Sequence, residues 1–66
     1  MEKYNIPSYL KSQGFEGVKL GRGNWTFMYK EKLHPFPYKS KRDAISMMVE
    51  WTGDLDGLER MLRIKE

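Results

Sequence analysis

Between Lys11 and Arg42 stand eight cations: Lys11, Lys19, Arg22, Lys30, Lys32, Lys39, Lys41 and Arg42. Only Glu16 and Glu31 accompany them, so this stretch carries a local charge of +6. From Asp43 to Glu66 the balance reverses to −3, and the modest net charge of +3 hides the asymmetry. Lysine and arginine release condensed counterions when they neutralise phosphates, so a one-sided basic field is the electrostatic footprint of nucleic-acid binding. Charge alone leaves a merely solvated basic face equally open, and the placement of the cations has to decide.

Other chemistry finds little to work with. The chain has no cysteine, which removes disulfides and thiolate zinc sites, and its single histidine, His34, is too little for a histidine-based metal site. His34 with Ser40 or Asp43 lacks a second histidine and any sign of an oxyanion site, so no catalytic residue and no enzyme activity are expected. Gly21-Arg22-Gly23 lacks the third glycine of a dinucleotide fingerprint and runs into a strand pattern rather than a helix. We therefore expect no cofactor, no metal and no small-molecule substrate.

At 66 residues the chain makes one small domain, whose folding buries only roughly 60% of the surface of its unfolded form. No apolar run approaches the ~20 residues of a membrane span, and the start MEKYNIPSYL does not read as a signal peptide. The expectation is a soluble cytoplasmic protein without a membrane partner.

Residues 1–16 read as an N-terminal arm or a short helix that begins at Pro7 and ends near Gly14. Residues 17–39 read as a β-meander. Val18 and Leu20 alternate with Gly17 and Lys19, Gly21-Arg22-Gly23-Asn24 makes a hairpin turn, and Trp25-Thr26-Phe27-Met28-Tyr29-Lys30 follows as a strand. Period-two alternation puts Trp25, Phe27 and Tyr29 on one face and Thr26, Met28 and Lys30 on the other. A turn at Glu31-Lys32 leads into Leu33–Tyr38, where Pro35 and Pro37 suit an edge strand and His34, Phe36 and Tyr38 share a face.

Ser40 with Asp43 three residues later starts the main helix, 40–52, whose stripe is Ala44, Met47, Met48 and Trp51, widened by Ile45 and Val49. That stripe is expected to pack on Trp25, Phe27, Tyr29 and Phe36. Asp54 or Asp56 caps a short C-terminal helix, 54–64, with Leu55, Leu58, Met61 and Leu62 apolar. The fold class is α+β: a three-stranded antiparallel sheet packed on one main helix, with a short C-terminal helix.

This arrangement leaves the sheet face opposite the helix showing Lys19, Thr26, Met28 and Lys30, with Arg22 in the turn and Lys32 beside it. Small sheets fit the DNA major groove, where Lys and Arg read guanine and Thr or Met meets thymine methyls.

The run Gly23-Asn24-Trp25, Tyr29-Lys30 and Tyr38-Lys39-Ser40-Lys41-Arg42-Asp43-Ala44 resembles the N-terminal arm-site DNA-binding domain of phage and transposon tyrosine recombinases. The likeness covers roughly residues 17–51. It implies a three-stranded sheet on one helix, with the sheet laid into the major groove of double-stranded DNA. Carried over, it makes Trp25 and Tyr38 core aromatics and Ser40 the helix cap. It sets Arg22, Thr26, Met28, Lys30 and Lys32 toward DNA, with Lys41 and Arg42 near a backbone phosphate. Pro35-Phe36-Pro37 and the acidic stretch after Gly53 depart from the family pattern. Such a chain would be either a free-standing accessory DNA-binding protein of a phage or mobile element, or an isolated domain.

The competing expectation is a protein-binding module that occludes a host protein. The last helix offers a docking face: Leu55, Leu58 and Met61 or Leu62 could close the chain's own core, pair with a second copy or sit in a partner's groove, and closing the core is the first use for them.

Overall fold

The computed structural model describes residues 2–63. Seven elements follow in the order β1 (Glu2–Tyr4), α1 (Ser8–Gln13), β2 (Phe15–Gly21), β3 (Asn24–Tyr29), β4 (Lys32–Leu33), α2 (Lys41–Thr52) and α3 (Leu55–Leu62). The strands form an antiparallel sheet in the order β1-β2-β3-β4. The α+β class therefore stands, with four strands where the sequence predicts three. The extra strand is β1, in the segment expected to be an arm or helix, and α1 follows it directly. Of the C-terminal helix predicted over 54–64, residue 64 lies outside the described residues.

Phe15, Phe27 and Tyr29 line up on one sheet face, and Ile6, Leu10 of α1, Met48 of α2 and Leu58 of α3 close over them. Local signals set the helix ends. Ser40 Oγ accepts from the Asp43 amide at 3.1 Å, and Asp54 Oδ1 accepts from the Gly57 amide at 3.0 Å, each satisfying an otherwise unpaired first-turn donor. Gly14 ends α1 with φ of 108°, a left-handed conformation cheap only for glycine.

The register of the central hairpin departs from the sequence reading, and the cause is a single residue. Gly21 pairs with Asn24 around an Arg22-Gly23 turn, but a bulge at Leu20 then shifts the ladder, so Lys19 pairs with Trp25 and Gly17 with Phe27. Inserting one residue moves every side chain beyond it to the other face. Phe15 and Gly17 thus join the helix side, while Val18 pairs with Thr26 on the opposite side. Gly17 is required where it stands: the Tyr4 ring crosses it so closely that a Cβ would come to 2.7 Å from a ring carbon.

The second turn is Lys30-Glu31, one residue earlier than expected, with φ of 49° and 68°. After Leu33 the edge is not a continuous strand. The His34 amide bonds the Phe27 carbonyl oxygen at 2.9 Å, and Trp25 and Tyr38 exchange two backbone hydrogen bonds at 2.8 and 2.7 Å. Pro35, Phe36 and Pro37 loop out between these anchors, because two prolines cannot donate to a ladder. His34 and Tyr38 turn inward, whereas Phe36 stays 59% exposed and adds nothing to the core. Trp25 is also not a core residue. It stands half-buried at the end of the sheet, outside the central cluster. Val49 and Met61 likewise lie exposed rather than in the stripes the helical spacing assigns them.

Candidate nucleic-acid interface

The bulge at Leu20 also decides where the cations go. Lys19, now opposite Trp25, reaches over that ring with its ammonium 4.7 Å from the ring centroid. Tyr4 meets Trp25 edge-on at 5.2 Å and donates its hydroxyl to the Thr26 carbonyl oxygen at 2.6 Å. Burial pushes the Tyr4 phenol up to about 12, so it remains a neutral donor at ordinary pH. Lys41, in the first turn of α2, sets its ammonium 5.9 Å from the Tyr4 ring. Two lysines thus stand over an aromatic pair whose ring faces attract cations.

The Trp25–Tyr38 bridge brings the start of α2 to this same end of the sheet. Lys39 follows Tyr38 immediately, and Lys41 and Arg42 open the helix, all three exposed. Arg22, exposed at the tip of the β2–β3 turn, completes a group of five cations: Lys19, Arg22, Lys39, Lys41 and Arg42. Among the described residues none of the five forms an ion pair. Glu2 stands opposite Lys19 in the sheet, and Asp43 lies in the first turn of α2. Lys41 and Arg42 also lie at the positive end of the α2 dipole, where cations cost roughly 0.3–1 kcal/mol each. A phosphate placed among these groups would be held by cations and helix dipole together.

The other expected contact residues lie elsewhere. Thr26 is fully buried, and its hydroxyl donates to the His34 carbonyl oxygen at 3.1 Å, with the Phe36 carbonyl oxygen at 3.4 Å. It stitches the looped-out Pro-Phe-Pro segment to β3 and has no surface to offer a base. Met28 is half-buried on the face away from the helices, paired across the sheet with Leu33. Lys30 donates to Glu59 of α3 at 3.2 Å, a hydrogen bond that raises its pKa, and so it belongs to the helix side. Lys30 and Lys32 sit beyond the far end of β3, about 17 Å along the strand from the hairpin tip. The face away from the helices is therefore not the basic one: Val18 and Thr26 are buried on it, beside half-buried Met28, exposed Leu33 and the Lys3–Glu16 ion pair.

Sequence reasoning placed Lys19, Arg22, Lys41 and Arg42 in the site and missed Lys39 and Tyr4. Lys39 was legible as part of the basic run that ends at Arg42. Tyr4 was not, because its place depends on β1 pairing with β2. No protein-family model, curated protein or solved structure matches the chain.

Proposed function

We propose that this chain is a double-stranded DNA-binding module that grips the phosphate backbone with the β2–β3 hairpin end and the start of α2. The observation that carries the reading is the convergence of Lys19, Arg22, Lys39, Lys41 and Arg42 without ion-pair partners among the described residues. The recombinase arm-site resemblance points the same way, although the surface proposed is the end of the sheet rather than its open face. The test is a fluorescence anisotropy titration of a labelled mixed-sequence duplex at two salt concentrations. Binding should weaken steeply with salt, with a logarithmic slope of about −4 for four to five neutralised phosphates. Lys41→Ala with Arg42→Ala should weaken it, whereas Lys30→Ala, at the far end, should leave it unchanged. No association at low salt sinks the reading.

One observation favours a second reading, protein binding. The sheet face away from the helices carries half-buried Met28 beside exposed Leu33, and exposed Leu20 and Phe36 lie elsewhere on the surface. A flat DNA titration would shift the function to apolar contacts of this kind.

A further inference from the structure

We propose that the β2–β3 hairpin tip enters the minor groove of DNA, and that Arg22 reads its width there, giving a preference for A·T tracts. The inference rests on the DNA-binding reading and specifies how that surface meets its partner.

The tip is unusually bare. Arg22 and Gly23 alone form the turn, between the paired residues Gly21 and Asn24. A Cβ at Gly23 would meet nothing within 4 Å, and one at Gly21 only the side-chain Nδ2 of Asn24 at 3.9 Å. Gly23 also needs its positive φ of 72°. The two-residue turn is thus little more than peptide backbone bearing one exposed guanidinium, with exposed Leu20 and Asn24 set back on either side of it.

A major groove about 12 Å wide is read by several side chains spread over a helix or ribbon. Arg22 and Asn24 are too few for that, and Thr26, the next candidate reader, is buried. The minor groove is only about 6 Å wide, suits a narrow tip, and presents a degenerate edge that a single side chain can exploit. Where A·T tracts narrow it further, its negative potential deepens and attracts an inserted arginine. Guanidinium is also more weakly hydrated than ammonium, so entering the groove costs it less water.

The remaining cations stand back from the tip, with the ammonium groups of Lys19 and Lys41 over the Tyr4–Trp25 pair. Lys19 is on β2, and Lys39, Lys41 and Arg42 lie beyond β3. This is where the phosphates bordering a narrow groove would fall.

The experiment compares two labelled duplexes of equal length at one low salt concentration, one with a central A·T tract and one with a G·C tract. The wild-type chain should bind the A·T duplex about tenfold more tightly. Arg22→Ala should bind both equally, with the residual affinity of the lysines, and should melt at the wild-type temperature. Arg22→Lys should recover affinity for both duplexes without recovering the full preference. Equal wild-type affinity for the two duplexes, or a preference that survives Arg22→Ala, overturns the inference while leaving DNA binding intact. Binding to neither duplex overturns the DNA-binding reading itself, and this inference with it.

Discussion

His34 links the interior of the fold to solution pH. Its ring lies on Phe27 with centroids 4.5 Å apart and planes 10° apart, and Nε2 is 2.9 Å from the Tyr38 hydroxyl. Nδ1 is buried and has no hydrogen-bond partner among the described residues. Protonation would add a charge and a second N–H donor to a site that hydrates neither, and burial accordingly lowers the His34 pKa below its ordinary 6.5. The unfolded chain therefore takes up the proton first. Stability should be complete above about pH 6.5 and fall as pH drops below it toward the lower folded-state pKa, by at most about 1.4 kcal/mol per pH unit for one proton. Urea midpoints measured from pH 7.5 to 5 should show this slope, and His34→Phe, which retains a ring against Phe27, should flatten it. An unchanged slope in His34→Phe would assign the effect to the carboxylates instead. Trp25 shows the same dependence on surroundings: half-buried at the sheet end, it should tolerate truncation far better than a core aromatic, whose loss costs ~3–5 kcal/mol.

The two turns flanking β3 are built from different chemistry. Arg22-Gly23 gives its positive φ to glycine, whereas Lys30-Glu31 holds two side-chain-bearing residues at φ of 49° and 68°. Such residues pay roughly 1–2 kcal/mol each for the left-handed region, and two-residue hairpins favour glycine at the second position. Glu31→Gly should therefore stabilise the fold by about 1 kcal/mol after the entropy cost of glycine, raising Tm by roughly 4–8 °C in a domain of this size. Calorimetry checks this, and a Tm that stays level or drops would mean that Glu31 supports the turn in another way. The elements legible in the sequence are those set by local signals. Ser40, Gly14 and the pair Asp54 or Asp56 announced helix ends because capping involves residues within one turn of each other. β1 was not legible, since Glu2-Lys3-Tyr4 has no alternation of its own and becomes a strand by pairing with residues 17–19. The site was half legible for the same reason. Counting charges along the chain located the basic segment, but the bulge at Leu20 set which face Lys19 occupies, and register is a long-range property.

Over the whole molecule, the uneven charge distribution implies a conflict between stability and binding. The positive segment ends at the α2 N-terminus, where Lys41 and Arg42 oppose the helix dipole in the turn that Ser40 caps. Neither residue forms an ion pair among the described residues, and Arg42 is exposed, so its contribution to the folded state is mainly this repulsion. Arg42→Glu would place an acidic group beside first-turn amides that favour one. On stability alone the substitution is an improvement, and it should stabilise by about 0.3–1 kcal/mol, a Tm increase of a few degrees. On the proposed function it is damaging, because it replaces one phosphate contact with a repulsive charge. Duplex affinity should fall by about tenfold or more at low salt, and the salt slope should lose about one unit. Melting and anisotropy titrations on the same preparation test both halves. A variant that melts higher and binds less tightly is the result expected of a cation kept for a partner. If Arg42→Glu melts lower, the residue supports the fold. If it binds duplex as tightly as the wild-type chain, the start of α2 lies outside the DNA contact, leaving Lys19, Arg22 and Lys39 to carry the binding.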